Sequence, residues 1–231
     1  MFPLKDDNPS RTTPVVTIGL IILNGLVFIY QLSLELGGPE GARAGESFIR
    51  EFGLVPCRLT GSCLGPSDLP SPVLTIFTSM FMHGGLFHVG GNMLYLGIFG
   101  NNVEDTLGHL RYLVFYLASG LAAALTQVAV GPGSDLPMVG ASGAVSGVLG
   151  AYLLLFPNAH VTTLIILGFF FRVVRVPALF VLGFWIVLQV LNGLGSFGAS
   201  GGVAFFAHIG GFVAGMGLLF VLRPRSGMRA G

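Results

Sequence analysis

Charge is what this 231-residue sequence has least of: 9% of its residues are Asp, Glu, Lys or Arg, against 53% that are apolar. A water-soluble domain carries roughly 25% charged residues, so this shortage excludes an ordinary soluble enzyme and a disordered chain alike. The net charge is +1 with no block of one sign, which leaves no surface for nucleic acid. There is no HExxH pattern and no acid after Asp135, so metal-assisted hydrolysis is disfavoured, and two cysteines alone lack the further ligands that zinc requires. No internal repeat and no intramembrane charge support a transporter built from broken helices. What is plentiful is glycine, with 36 residues, and apolar character, with a mean hydropathy of +0.83. The profile is that of an integral protein whose solvent is the lipid bilayer.

A helix needs about 20 mostly apolar residues to cross a hydrocarbon core roughly 30 Å thick. Six segments approach that requirement: Pro14 to Leu34, Leu86 to Asn102, Leu110 to Val130, Ser142 to Phe156, Pro177 to Leu194 and Phe205 to Leu222. The expectation is therefore an all-α, six-span bundle forming a single membrane domain over residues 1–231. The first span is longer than a signal-peptide core and has no cleavage pattern after it, so it is read as retained.

Placing the N-terminus in the cytoplasm puts Lys5, Arg11, Arg111, Arg172, Arg175, Arg223, Arg225 and Arg229 inside, against Arg43, Arg50 and Arg58 outside. Both termini are expected inside, with 13 residues before the first span and a short basic tail over 223–231. One long external loop spans 35–85, where Glu40, Glu46, Glu51 and Asp68 dilute the three arginines. Phe48, Ile49, Phe52 and Leu54 among charged neighbours there suggest a short helix lying in the interface. Cys57 and Cys63 share this loop, where an oxidising compartment permits a disulfide, with two free thiols as the alternative.

Polar side chains inside spans are costly, and here they are few. His88 and Asn92 occur in the second span, Ser142 opens the fourth within Gly140-Ala141-Ser142-Gly143, and His208 lies in the sixth. Serine with histidine suits a nucleophile and its base, and Asn with a second His suits hydrogen-bond donation to an oxyanion. The bland reading of Ser142 is a small-residue packing face with Gly143, Ser146, Gly147 and Gly150. The same reading fits His208 among Ala207, Gly211 and Gly215. Depth argues for the sharper one. His88 to Asn102, Ser142 to Phe156 and His208 to Leu222 each hold 15 residues, about 22 Å of helix from a common inner end. All three polar residues then sit at one depth, with Asn92 one turn below His88.

A helix beginning at Ser142 is too short to cross the full core and presents unpaired N–H groups inside the membrane. At the positive end of the helix dipole those groups suit an oxyanion beside the serine. Because no carboxylate accompanies His208, the reading is a Ser142–His208 dyad with no acid to orient the ring. GASG is followed by Ala144, which also removes the GxSxG elbow of soluble lipases.

In order and spacing, GASG around Ser142, AHIGGFVAG around His208, HGGLFHVGGNM with His83, His88 and Asn92, and the following NNVEDTLGHLRYLVFYL resemble the rhomboid family of intramembrane serine proteases. The resemblance covers most of the membrane core. It implies a six-span fold, cleavage of single-span transmembrane proteins within the bilayer, Ser142 as nucleophile and His208 as base. It further implies an oxyanion hole from Ser142 N–H, His88 and Asn92, with no cofactor and no metal. Water would arrive from the outside, and substrate would pass the fifth span and the Gly193 to Gly202 loop. Gly143 and Gly211 are candidate supporting residues that let two helices approach, and His83 is either a loop-structuring residue or a site member.

Three features depart from the family pattern. Ser146 stands where many members place an aromatic that packs on the base, the tryptophan-arginine pair of some external loops is missing, and no seventh span is appended. The six-span form common in bacteria fits, with an inner membrane as the expected location. Trp185 and Gln189, one turn apart on the fifth span, are read as packing residues by default, with a contribution to a gate suggested by analogy alone. The alternative function is a non-catalytic rhomboid-like binder or dislocation factor, against which the intact Ser142 and His208 argue.

Overall fold

A computed structural model describes residues 2–63, 69–168, 170–195 and 203–224. Asp68, Arg225, Arg229 and most of the Gly193 to Gly202 loop fall outside the described residues. Each of the six apolar segments is a helix, with ends within a few residues of expectation: α1 Val15–Glu35, α5 Leu86–Leu107, α6 His109–Val130, α7 Ser142–Leu155, α8 Ala178–Gly195 and α9 Phe205–Leu222. Between α1 and α5 lie α2 Gly38–Phe52, α3 Pro56–Thr60 and α4 Pro72–Thr78.

By length and composition α1, α6, α8 and α9 can each cross a membrane, and α4 with α5 adds a fifth candidate if that pair, bent by 81°, counts as one span. Helix α5 alone carries Asn92, Asn101, Asn102, Glu104 and Asp105, which dilute its apolar character. Helix α7 has 14 residues, about 21 Å, and is shielded on all sides, being buried continuously from Gly143 to Tyr152.

The chain is mostly helical but departs from the all-α expectation. Strands β1 Phe2–Asp6, β2 His160–Leu167 and β3 Phe170–Pro177 form an antiparallel sheet in the order β1-β2-β3. The residues expected merely to lead into α1 and to join α7 to α8 are thus structured. Val161 pairs with Val176, Thr163 with Val174 and Leu164 with Val173, and the β-branched side chains in both strands favour the pleated surface. Val161 and Thr163 are fully buried beneath the sheet.

Four acids, Asp6, Asp7, Glu104 and Asp105, are tied to donors at the sheet end of the bundle. Glu104, fully buried near the end of α5, accepts from Val16 N–H at 2.9 Å, Thr17 N–H at 2.8 Å and the Thr17 hydroxyl at 2.7 Å, so the first turn of α1 is capped by a residue far away in sequence. His109 Nδ1 lies 2.6 Å from the same carboxylate. Asp105 accepts from the backbone of Arg11 and Thr12. The Tyr152 hydroxyl donates to Asp6 at 2.6 Å, while Asp7 accepts from His160 N–H and from Arg175.

At the opposite end, α2 packs Gly41 and Gly45 against the last residues of α1, and Phe48 meets Tyr30 edge-on at 5.4 Å. Cys57 and Cys63 form a disulfide, resolving the two thiol readings in its favour. Helices α7 and α9 make the closest approach. A Cβ on Gly211 would run into the Gly143 carbonyl oxygen, and one on Gly215 into that of Gly147.

Candidate active site

The segment leading into α7 is clamped before the helix begins. Leu54 and Met138 exchange backbone hydrogen bonds of 3.0 and 2.8 Å, and Gly140 N–H donates to Ser79 at 2.9 Å. Gly140 adopts φ +129°, and a Cβ there would lie 2.7 Å from His88 Nε2, so only glycine lets that ring stand beside Ser142. Ser142 follows as the first residue of α7, where helix geometry leaves the N–H groups of the first turn without intrahelical acceptors.

His208, in the first turn of α9, reaches across to that serine. Its Nε2 is 2.8 Å from Ser142 Oγ. The lack of a Cβ on Gly211 lets α9 approach the Gly143 carbonyl of α7, whereas a Cβ on Gly143 would meet Ala123 of α6. Together with His88, Asn92 and Gly140, Ser142 and His208 line a cavity of about 660 Å³.

His88 accepts at Nδ1 from Gly84 N–H at 3.3 Å. A backbone N–H can only donate, so the neutral ring carries its proton on Nε2, the nitrogen nearest Gly140 and Ser142. Asn92, one turn further along α5, is buried, and its Nδ2 has no hydrogen-bond partner among the described residues. Both residues line the cavity that Ser142 and the start of α7 also line.

His83 is buried behind this group. Its ring meets that of His88 edge-on at 5.0 Å, its Nε2 faces Ala141 N–H at 3.5 Å, and its backbone is held on both sides by the Gln31 amide. It supports the neighbours of Ser142 without facing the serine itself. No cluster of His, Cys, Asp and Glu among the described residues could hold a metal ion.

Two residues read as packing contact His208. Gln189 Oε1 is 2.8 Å from His208 Nδ1, and the Trp185 ring lies 5.9 Å from the imidazole at a tilt of 36°. The aromatic neighbour expected on α7 comes instead from α8. Ser146, which holds that α7 position, turns its hydroxyl to the Ser142 carbonyl at 2.6 Å. The available signal was an amide within an apolar span, costly unless partnered.

A family model of the rhomboid domain matches residues 70–225, an interval that contains His83, His88, Asn92, Ser142 and His208. The chain belongs to the rhomboid family. RHOMBOID-like protein 1 of Arabidopsis thaliana is 27% identical over 231 residues, covering 93% of this chain and 55% of that protein. Rhomboid protease GluP of Bacillus subtilis is 37% identical over 78 residues, 34% of this chain and 15% of its own. Inactive rhomboid protein 1 of Drosophila melanogaster is 29% identical over 93 residues, 40% of this chain and 6% of its own. The chain spans about half the length of the first of these relatives. The rhomboid relatives thus include proteases and an inactive member, and the family with the apolar helices makes this an integral, multi-pass membrane protein.

Proposed function

We propose that this rhomboid is an intramembrane serine endopeptidase acting through Ser142 and His208. The observation that carries the reading is the 2.8 Å contact between Ser142 Oγ and His208 Nε2 in a cavity that also holds the unpartnered Asn92 amide nitrogen. Ser142 Oγ attacks the peptide carbonyl carbon while its proton passes to Nε2. The oxyanion accepts from Ser142 N–H, His88 Nε2–H and Asn92 Nδ2. Collapse breaks the C–N bond, and Nε2 returns the proton to the leaving amine. Water then hydrolyses the acyl-enzyme, with His208 again taking and returning a proton, to release a carboxylic acid and regenerate the serine.

In this reading α4–α5 is one bent span and the shielded α7 completes a six-span bundle with both termini in the cytoplasm, as the distribution of Lys and Arg favours. Substrates are single-span membrane proteins that unwind locally, since a helical peptide bond is shielded from attack. A bacterial inner membrane suits the six-span form.

The test is covalent labelling of the detergent-solubilised protein by a fluorophosphonate. Wild type should label, while Ser142→Ala and His208→Ala should not. Equal labelling of either variant overturns the dyad, and a binder without catalysis would leave wild type unlabelled.

A further inference from the structure

His208 has no carboxylate behind it, yet its ring is fixed. Gln189 Oε1 faces Nδ1 at 2.8 Å, and an amide oxygen only accepts, so Nδ1 carries the ring proton. The lone pair of Nε2 is then directed at Ser142 Oγ, also at 2.8 Å. The amide cannot turn over without loss, because its Nε2 faces the Trp185 carbonyl at 3.5 Å, an acceptor that only the NH₂ end can use. The Trp185 indole, one turn earlier on α8, covers a face of the same imidazole and also meets Phe212 at 6.2 Å. One helix therefore sets both the tautomer and the plane of the ring.

We propose that Gln189 is the positioning residue of this enzyme, a neutral stand-in for the third member of a triad. The proposal rests on reading Ser142 and His208 as nucleophile and base. An amide fixes the useful tautomer as a carboxylate does, but it offers a dipole in place of a full charge to the imidazolium that forms. The titratable groups lining the cavity around His208 are His88 and Tyr95 of α5, with His83 behind His88. Helix α6 contributes Gln127, which accepts from Ala207 N–H, and α7 contributes Ser142 and Ser146. No Asp, Glu, Lys or Arg lines the cavity among the described residues, so Gln189 is the group that decides which nitrogen is protonated.

The experiment follows fluorophosphonate labelling kinetics in detergent for wild type, Gln189→Met and Gln189→Glu, across a pH series. Met preserves length and packing but removes the acceptor. Its maximal labelling rate should fall on the order of 10- to 100-fold, with the probe concentration at half-maximal rate unchanged. Glu restores an acceptor and adds charge, so labelling should recover towards or beyond wild type. Because a carboxylate favours the imidazolium, the acid limb of its pH profile should move to higher pH. Wild-type kinetics in Gln189→Met, or an unmoved acid limb in Gln189→Glu, overturns the proposal. If Gln189→Met does not fold, as judged by thermal unfolding, the Glu variant decides through its acid limb. A failure of the dyad itself is recognised separately, by labelling that persists in His208→Ala.

Discussion

At the sheet end of the molecule Glu104 has four partners, two backbone N–H groups, a hydroxyl and an imidazole, and Asp105, Asp6 and Asp7 are each tied to backbone or side-chain donors. No acid lines the cavity among the described residues, and the Asn92 amide nitrogen there is buried without a hydrogen-bond partner. Saturated carboxylates have no capacity left for a ligand, whereas an unpaired buried donor gains most when an acceptor arrives. The difference separates groups that hold helices in place from groups held ready. It also shows four of the chain's few acids fastening elements that are distant in sequence.

The largest effect should come from removing one of the waiting donors. Asn92→Ala deletes an amide whose nitrogen makes no bond in the resting protein, so thermal stability should change little. The maximal fluorophosphonate labelling rate should drop by about two to three orders of magnitude, the usual consequence of losing an oxyanion donor. A variant that melts early but labels at the wild-type rate would place Asn92 with the structural groups and break the contrast between the two ends.

Glu104→Gln tests the other end. It sets an amide NH₂ against groups that themselves donate, and removes the charge that strengthens their bonds. Unfolding should become easier by about 2 to 3 kcal/mol. Labelling kinetics well below the melting temperature should stay near wild type, because the Glu104 carboxylate bonds only to α1 and His109 among the described residues. A slow label on a stably folded variant would show that the two ends are coupled.

These assignments were unequally legible in the sequence. Apolar runs marked all six long helices because membrane burial acts on composition over some 20 residues, and equal counting from a common end placed His88, Ser142 and His208 at one level. The partners of Glu104 were not legible, since Val16 and Thr17 are remote in sequence and a buried cap leaves no local pattern. The sheet was missed although β-branched residues flank Gly168, a hairpin signal that the search for spans overrode. Gln189 was missed for another reason: its spacing from Trp185 reads equally well as packing, and only the packing of α8 against α9 brings it to His208. Cys57 and Cys63 were legible as a pair, but their bonding was not.

The smallest effect belongs to the sheet itself, where two adjacent acids respond to pH with opposite sign. Burial raises the pKa of Asp6, against the Tyr152 hydrogen bond, so its contribution is complete below the ordinary value of 3.8 and is lost as pH rises through the folded-state value. For Asp7, partial burial pushes upward but is outweighed by the His160 N–H and by Arg175, so its pKa is lowered. Its contribution is present above 3.8 and is lost as pH falls through the lowered value. Asp7→Asn should therefore melt slightly below wild type at neutral pH, and the gap should close in acid below about pH 4. The gap stays small because Asp7 and Arg175 are exposed enough for water to screen the pair. Asp6→Asn should do the reverse at neutral pH, raising the melting temperature a little by removing a charge that burial disfavours. Thermal unfolding of both variants in detergent across pH 3 to 8 checks the pair, and a gap for Asp7→Asn that does not depend on pH would mean that the sheet is held by its ladder and its buried face alone.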